Sequence, residues 1–151
     1  MTEYLSRCLK EEKLKKHSTS KEELASLFKI IDRDLADAGI PALSTDRRFI
    51  TAYNAALQLA TVVLRAYGFR TNPNKAGHHR ISFDALPEIL GSEFQDLTDY
   101  FNACRIKRHN CDYTSIGEIS NREATEIITE TIKFKDIVFK FIKKNYPQLL
   151  V

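Results

Sequence analysis

The stretch Phe49-Ile-Thr-Ala-Tyr53-Asn-Ala-Ala-Leu57-Gln-Leu-Ala-Thr-Val-Val-Leu64-Arg-Ala-Tyr67 decides the fold class. Phe49, Ile50, Tyr53, Ala56, Leu57, Ala60, Leu64 and Tyr67 recur at three- and four-residue spacing, which on an α-helix places them on one side. Ala55, Leu59, Val62 and Ala66 cover much of the remaining circumference, so the helix lacks a wide polar face and is predicted to lie at the centre of its domain. Ser44, Thr45 and Asp46 supply N-cap candidates, and Gly68 followed by Phe69 predicts a left-handed glycine cap with an apolar contact.

Working outward, the neighbouring segments are also helical. Ser20-x-x-Glu23 reads as a capping box, and Leu24, Leu27, Phe28, Ile31, Leu35 and Ala38 follow at helical spacing until Gly39-Ile-Pro41. Within it, Asp32, Asp34 and Asp37 read as a solvent face rather than a metal motif. The basic run from Lys13 to His17 reads as a solvated helix end rather than a nucleic-acid arm. Ile81, Phe83, Leu86, Ile89 and Leu90, interrupted by Pro87 and closed by Gly91, predict a short or kinked helix. Ser92-x-x-Gln95 predicts the cap of the next helix, with Phe94, Leu97, Phe101 and Cys104 as its apolar stripe. Ser120-x-x-Glu123 opens a last helix carrying Ala124, Ile127, Ile128, Thr131, Phe134, Val138, Phe141 and Ile142 on one face. Ile132, Phe139 and Tyr146 form a second stripe, which either packs on another subunit or covers the N-terminal helix. There is almost no strand signal. The expected architecture is an all-α, up-and-down bundle of four to five helices, with residues 1–43 a helical extension packed on a single compact unit of residues 44–151.

Composition fits this reading. The chain has 151 residues, 43% hydrophobic and 28% charged, ordinary for one globular domain. The net charge of +3 is compatible with a nucleic-acid partner without specifying one. Cys8, Cys104 and Cys111 are odd in number and lack metal-ligand spacing; with no signal peptide and no apolar run near membrane-spanning length, the expectation is reduced thiols in a cytoplasmic protein with no membrane association. No internal repeat, glycine-rich phosphate loop or Ser-His-Asp arrangement is present.

The chemistry is concentrated in Arg105-Ile-Lys107-Arg108-His109-Asn-Cys-Asp112-Tyr113. Arg105, Arg108 and His109 stand three and four apart and project from one side of a helix, and Arg108 continues the apolar stripe, so it points toward the protein and needs an anionic partner. Asp112, four residues past Arg108, is one such partner and would make the cluster a structural clasp; a bound phosphate is the other. The segment from Arg70 to Arg80 reads as a loop rich in turn residues and cations. The histidines read either as ordinary surface-loop residues or, in the functional alternative, as part of a set in which Lys75, His78, His79 and Arg80 fold over the helix end and complete an anion pocket, with a histidine as general acid or base. His78 and His79 are adjacent and have no ligand-spaced Glu or Cys, so neither metal nor cofactor is expected.

The helix ending Arg-x-x-Arg-His-x-x-Asp-Tyr, followed by a loop and Ser120-Asn-Arg-Glu-Ala124, resembles the C-terminal half of HEPN domains, small helical nucleotide-binding and ribonuclease modules. The resemblance extends more weakly over residues 45–146. Arg108 matches the family's motif Arg and His109 the adjacent polar residue, while Tyr113 stands where the ribonucleases carry a downstream His, as in a branch with an Asp-Tyr pair. The resemblance implies binding of RNA or a nucleotide, with Arg105, Arg108, His109 and Tyr113 as catalytic candidates; the basic loop and the motif helix add Lys75, His78, His79, Arg80, Lys107 and Asp112 as binding candidates. It also implies a homodimer around the motif, a nucleotidyltransferase-like or antitoxin partner, and metal-independent RNA cleavage in a toxin–antitoxin or defence system. A non-catalytic interaction module is the alternative.

Overall fold

Ser44 starts the helix on which the rest is assembled. Its hydroxyl accepts from the Arg47 amide at 3.2 Å, opening α3 (Thr45–Tyr67). At the far end Gly68 takes φ 107° and ψ 20°, a left-handed conformation that costs a residue with a Cβ roughly 1–2 kcal/mol. A computed structural model describes residues 1–113 and 118–150, without the side chains of Asp112 and Tyr113. Among the described residues the chain forms seven α-helices and one two-stranded ribbon. Besides α3 these are α1 (Glu3–Lys10), β1 (Leu14–Lys16), α2 (Lys21–Ala38), β2 (Phe69–Thr71), α4 (His78–Asp84), α5 (Leu86–Leu90), α6 (Gln95–Tyr113) and α7 (Asn121–Asn145).

The long helices α2, α6 and α7 all pack on α3, giving the all-α bundle that the periodicity predicts. Leu24 and Ile31 of α2, Phe101 of α6, and Ile127, Phe134 and Val138 of α7 share one core with the fully buried Ala52, Ala56, Leu59 and Val63 of α3. Each large apolar side chain sequestered there contributes about 1.5–3 kcal/mol relative to exposure. Aromatic rings bind the layers together: Tyr53 meets the edge of Phe83 at 5.9 Å, Phe83 stacks on Phe101 at 5.5 Å, and Phe101 lies 5.3 Å from Phe134. By length and composition α3 is apolar enough to cross a membrane; here most of that surface is buried against α2, α6, α7 and the shorter elements packed on it.

Two segments differ from their sequence reading. The basic run is not a helix end: Leu14–Lys16 pairs antiparallel with Phe69–Thr71, with Lys15 opposite Arg70. A turn with Glu12 at φ 60° makes this possible, and Asn72 holds it by donating its side-chain amide to the Glu12 carbonyl at 2.9 Å. A three-residue strand with a single apolar side chain has no period to detect. The stretch from Arg70 to Arg80 is likewise not all loop, because β2 occupies its start and His78, His79 and Arg80 form the first turn of α4.

Three local details also differ. Asp34 is buried rather than solvent-facing, since it lies three and four residues from the core residues Ile31 and Ala38; Arg33 binds its carboxylate with two 3.1 Å hydrogen bonds. Ser92 does not cap α6, because a 3-10 turn over Ser92–Phe94 follows Gly91 and the Gln95 side chain bonds Asp99. At Ser20 only half the box forms: its hydroxyl accepts from the Glu23 amide at 3.1 Å, while the Glu23 carboxylate binds His17 and Arg65 instead. The box at Ser120 and Glu123 is complete, as expected.

Candidate anion-binding site

Gly77, at φ 79°, turns the chain into α4 and brings its first turn against the later half of α6. Between them lies a cavity of ≈ 210 Å³ lined by Gly77, His78, His79, Arg80, Arg105, Arg108 and His109. Two segments that the sequence singled out separately therefore converge. Arg105 and Arg108 are half-buried and share the α6 wall, with His109 more exposed beside them.

A polar relay orients the guanidinium groups. Asn102 accepts from Arg105 Nε at 3.3 Å and donates its own amide to Asp84 Oδ1 at 2.8 Å. The other Asp84 oxygen lies 3.4 Å from Arg80 Nε, one turn earlier on α4. One carboxylate thus connects both walls. Tyr53 of α3 lies fully buried behind the lining residues: its ring centroid is 5.7 Å from the Arg108 guanidinium carbon, a cation–π distance, and its hydroxyl is 3.2 Å from His79 Nδ1. The His78 and His79 rings meet edge to face at 4.8 Å.

The electrostatics follow from burial and the cation cluster. Burial, then His78, Arg108 and Arg105, lower His79 to about 4, so its imidazole is neutral near neutral pH. Burial raises the Tyr53 phenol, outweighing the pull of Arg108 and Arg105, so it keeps its proton. When the protonated phenol donates to Nδ1, the neutral imidazole carries its ring proton on Nε2. The cavity therefore offers three guanidinium groups and, in that tautomer, a neutral N–H donor, a set suited to a tetrahedral oxyanion that Arg binds through two parallel hydrogen bonds.

Not every expected residue reaches this cavity. Lys107 projects from another side of α6, pairs with the Glu123 carboxylate, and lines a separate cleft with Phe49, Tyr100 and Cys104. Lys75 is exposed in the connection before α4 and does not line the cavity. The side chains of Asp112 and Tyr113 lie outside the described residues, and with them the Arg108–Asp112 clasp. All three cysteines are buried free thiols, and burial pushes Cys104 up to about 11, well away from a reactive thiolate. The sequence reading missed Tyr53, Asn102 and Asp84. Asp84 was findable, four residues after Arg80; Tyr53 was hidden in an apolar stripe.

Comparison with known proteins finds that a family model described as SAV_6107-like HEPN matches residues 39–139. No curated protein and no solved structure matches.

Proposed function

This chain belongs to the SAV_6107-like HEPN family, and we propose that the cavity between α4 and α6 binds a phosphate group of RNA or of a nucleotide. Family membership supports a general nucleotide- or RNA-related role. The observation that carries the finer reading is the convergence of Arg80, Arg105 and Arg108 with three imidazoles on one recess.

If the bound group is an RNA phosphodiester, the residues suit transesterification without a metal. The ribose 2′-oxygen attacks the adjacent phosphorus as the bond to the 5′-oxygen breaks, giving a 2′,3′-cyclic phosphate and a 5′-hydroxyl. Arg105 and Arg108 balance the charge of the phosphorane, His109 transfers protons at the open edge, and His79 donates a hydrogen bond without titrating. A toxin–antitoxin or defence setting, with a nucleotidyltransferase-like or antitoxin partner, follows from the resemblance. Pairing of two copies would double the cation density, and the exposed Ile132 (54%) and Phe139 (44%) on α7 supply an apolar face for it. Light scattering of Phe139→Glu beside the parent tests this: loss of a dimer supports that face, and a monomeric parent removes it.

The deciding experiment is RNA cleavage by the purified protein with and without EDTA, beside Arg108→Ala. Cleavage that survives EDTA and is lost in the variant supports the reading. Cleavage abolished by EDTA overturns the metal-independent mechanism. Phosphate binding without cleavage favours the non-catalytic module.

A further inference from the structure

We propose that the β1–β2 ribbon is a second phosphate-contacting surface, which extends the α4–α6 cavity into a track for single-stranded RNA. The inference rests on the phosphate reading of that cavity and adds a strand of several nucleotides as its ligand. Leu14 of β1, Phe69 of β2 and Ile81 of α4 share one small core, so the ribbon packs on the helix whose first turn walls the cavity. Residues 72–77 are all that separate β2 from α4. The ribbon half contributed by β1 lies outside the family match, which begins at residue 39.

The charge arrangement points to a ligand. Strand alternation puts Phe69 inward and Arg70 outward, and the register sets Lys15 directly opposite Arg70. Like charges at directly opposite positions destabilise a strand pair. Neither side chain forms an ion pair among the described residues, and the nearby Glu11 is held by Lys13 at 2.9 Å. A phosphate placed between Lys15 and Arg70 converts that repulsion into attraction. Lys16 is exposed on the same ribbon, and Lys75, which does not line the cavity, stands on the connection between ribbon and cavity. A lipid surface is the poorer fit, because the large exposed apolar side chains, Met1, Ile40, Ile106, Ile132 and Phe139, all lie off the ribbon. An unpaired strand is the better fit than a duplex, since in-line attack by a 2′-oxygen needs a backbone free to leave helical geometry.

The test is binding of the full chain to fluorescent RNA from a mononucleotide to about 12 nucleotides, inside the ~4–16 nucleotide range of small single-strand-binding domains. Lys15→Gln/Arg70→Gln and Arg105→Gln/Arg108→Gln are compared with the parent. Affinity is expected to rise with length. The ribbon variant should lose most of that rise, with its salt dependence shallower by about 1.4 in log–log slope, two contacts at about 0.7 each. Its mononucleotide affinity should stay within about twofold, whereas the cavity variant should weaken at every length. Length dependence untouched by the ribbon variant overturns the inference and leaves the cavity reading standing. Ribbon-dependent binding of long RNA, with no mononucleotide binding and no effect of the cavity variant, overturns the cavity reading and the track built on it, and leaves the ribbon as an RNA contact by itself. Vesicles of phosphatidylcholine and phosphatidylserine form the third arm, and ribbon-dependent capture there in preference to RNA also overturns it. Lys15→Gln alone should leave the melting temperature unchanged or raised; a fall would make Lys15 a structural support and remove the like-charge argument.

Discussion

The Tyr53 hydroxyl lies 3.2 Å from Nδ1 of His79, joining the central helix of the core to the wall of the cavity. The protonation of His79 itself is set by burial first, then by His78 on α4 and by Arg108 and Arg105 on α6.

The first prediction is a pH dependence with a defined sign. His79 is lowered from 6.5 to about 4 in the folded chain, so protonation favours the unfolded state. Its contribution to stability is complete above pH ~6.5 and is lost as pH falls from there toward ~4. Sulfate, which stays doubly charged over this range, should raise the His79 pKa and stabilise the protein more at pH ~5 than at pH ~7.5. Imidazole NMR titration with and without sulfate checks this, and a His79 resonance titrating near 6.5 without sulfate would contradict it.

Arg108→Gln should move two observables together. Removing one of the cations that oppose protonation should raise His79 above about 4, though not to 6.5, because burial is the larger cause. Phosphate affinity should fall by roughly ten- to a hundredfold, the size of a lost hydrogen bond to a charged group. Lys107→Gln is the internal comparison. Since Lys107 pairs with Glu123 away from the cavity, the same titration should find phosphate affinity unchanged.

Asn102→Ala separates orientation from charge. Asn102 carries no charge, yet it bridges Arg105 and Asp84, so its loss should weaken phosphate binding about fivefold, near 1 kcal/mol for one hydrogen-bonded link. Calorimetric titration reads the change, and an affinity equal to the parent's would remove the relay from the site.

Tyr53→Phe should change the tautomer of His79. Without the phenol to donate to Nδ1, the proton is no longer confined to Nε2, and the 15N shifts of the ring should report a mixture. Unchanged ring shifts would show that the hydroxyl does not set the tautomer.

Ser120→Ala tests the last helix. Both hydrogen bonds of the Ser120–Glu123 box are present, the serine hydroxyl accepting at 3.1 Å and the glutamate at 3.0 Å. Removing the hydroxyl should cost about 1 kcal/mol and lower the melting temperature by roughly 2–4 °C.

The sequence by itself determined the bundle and the two segments that meet at the cavity. Helical periodicity is local and repeated, so the apolar positions of α2, α3 and α7, the caps at Ser44 and Ser120, and the glycine stop at Gly68 were all legible. Arg105, Arg108 and His109 were legible as one face because three- and four-residue spacing sets direction on a helix. Tertiary structure alone decided which partners these side chains meet. Lys15 faces Arg70 because the Gly68 cap returns the chain beside a strand too short to show a period. Tyr53 is core by spacing and supports two cavity residues, His79 and Arg108, by contact, because an apolar stripe records that a ring is buried but not what its hydroxyl touches. Lys107 and Arg108 are neighbours in sequence and project toward different clefts, since about 100° of rotation per helical residue separates them and the positions of α4 and α7 set what each one meets.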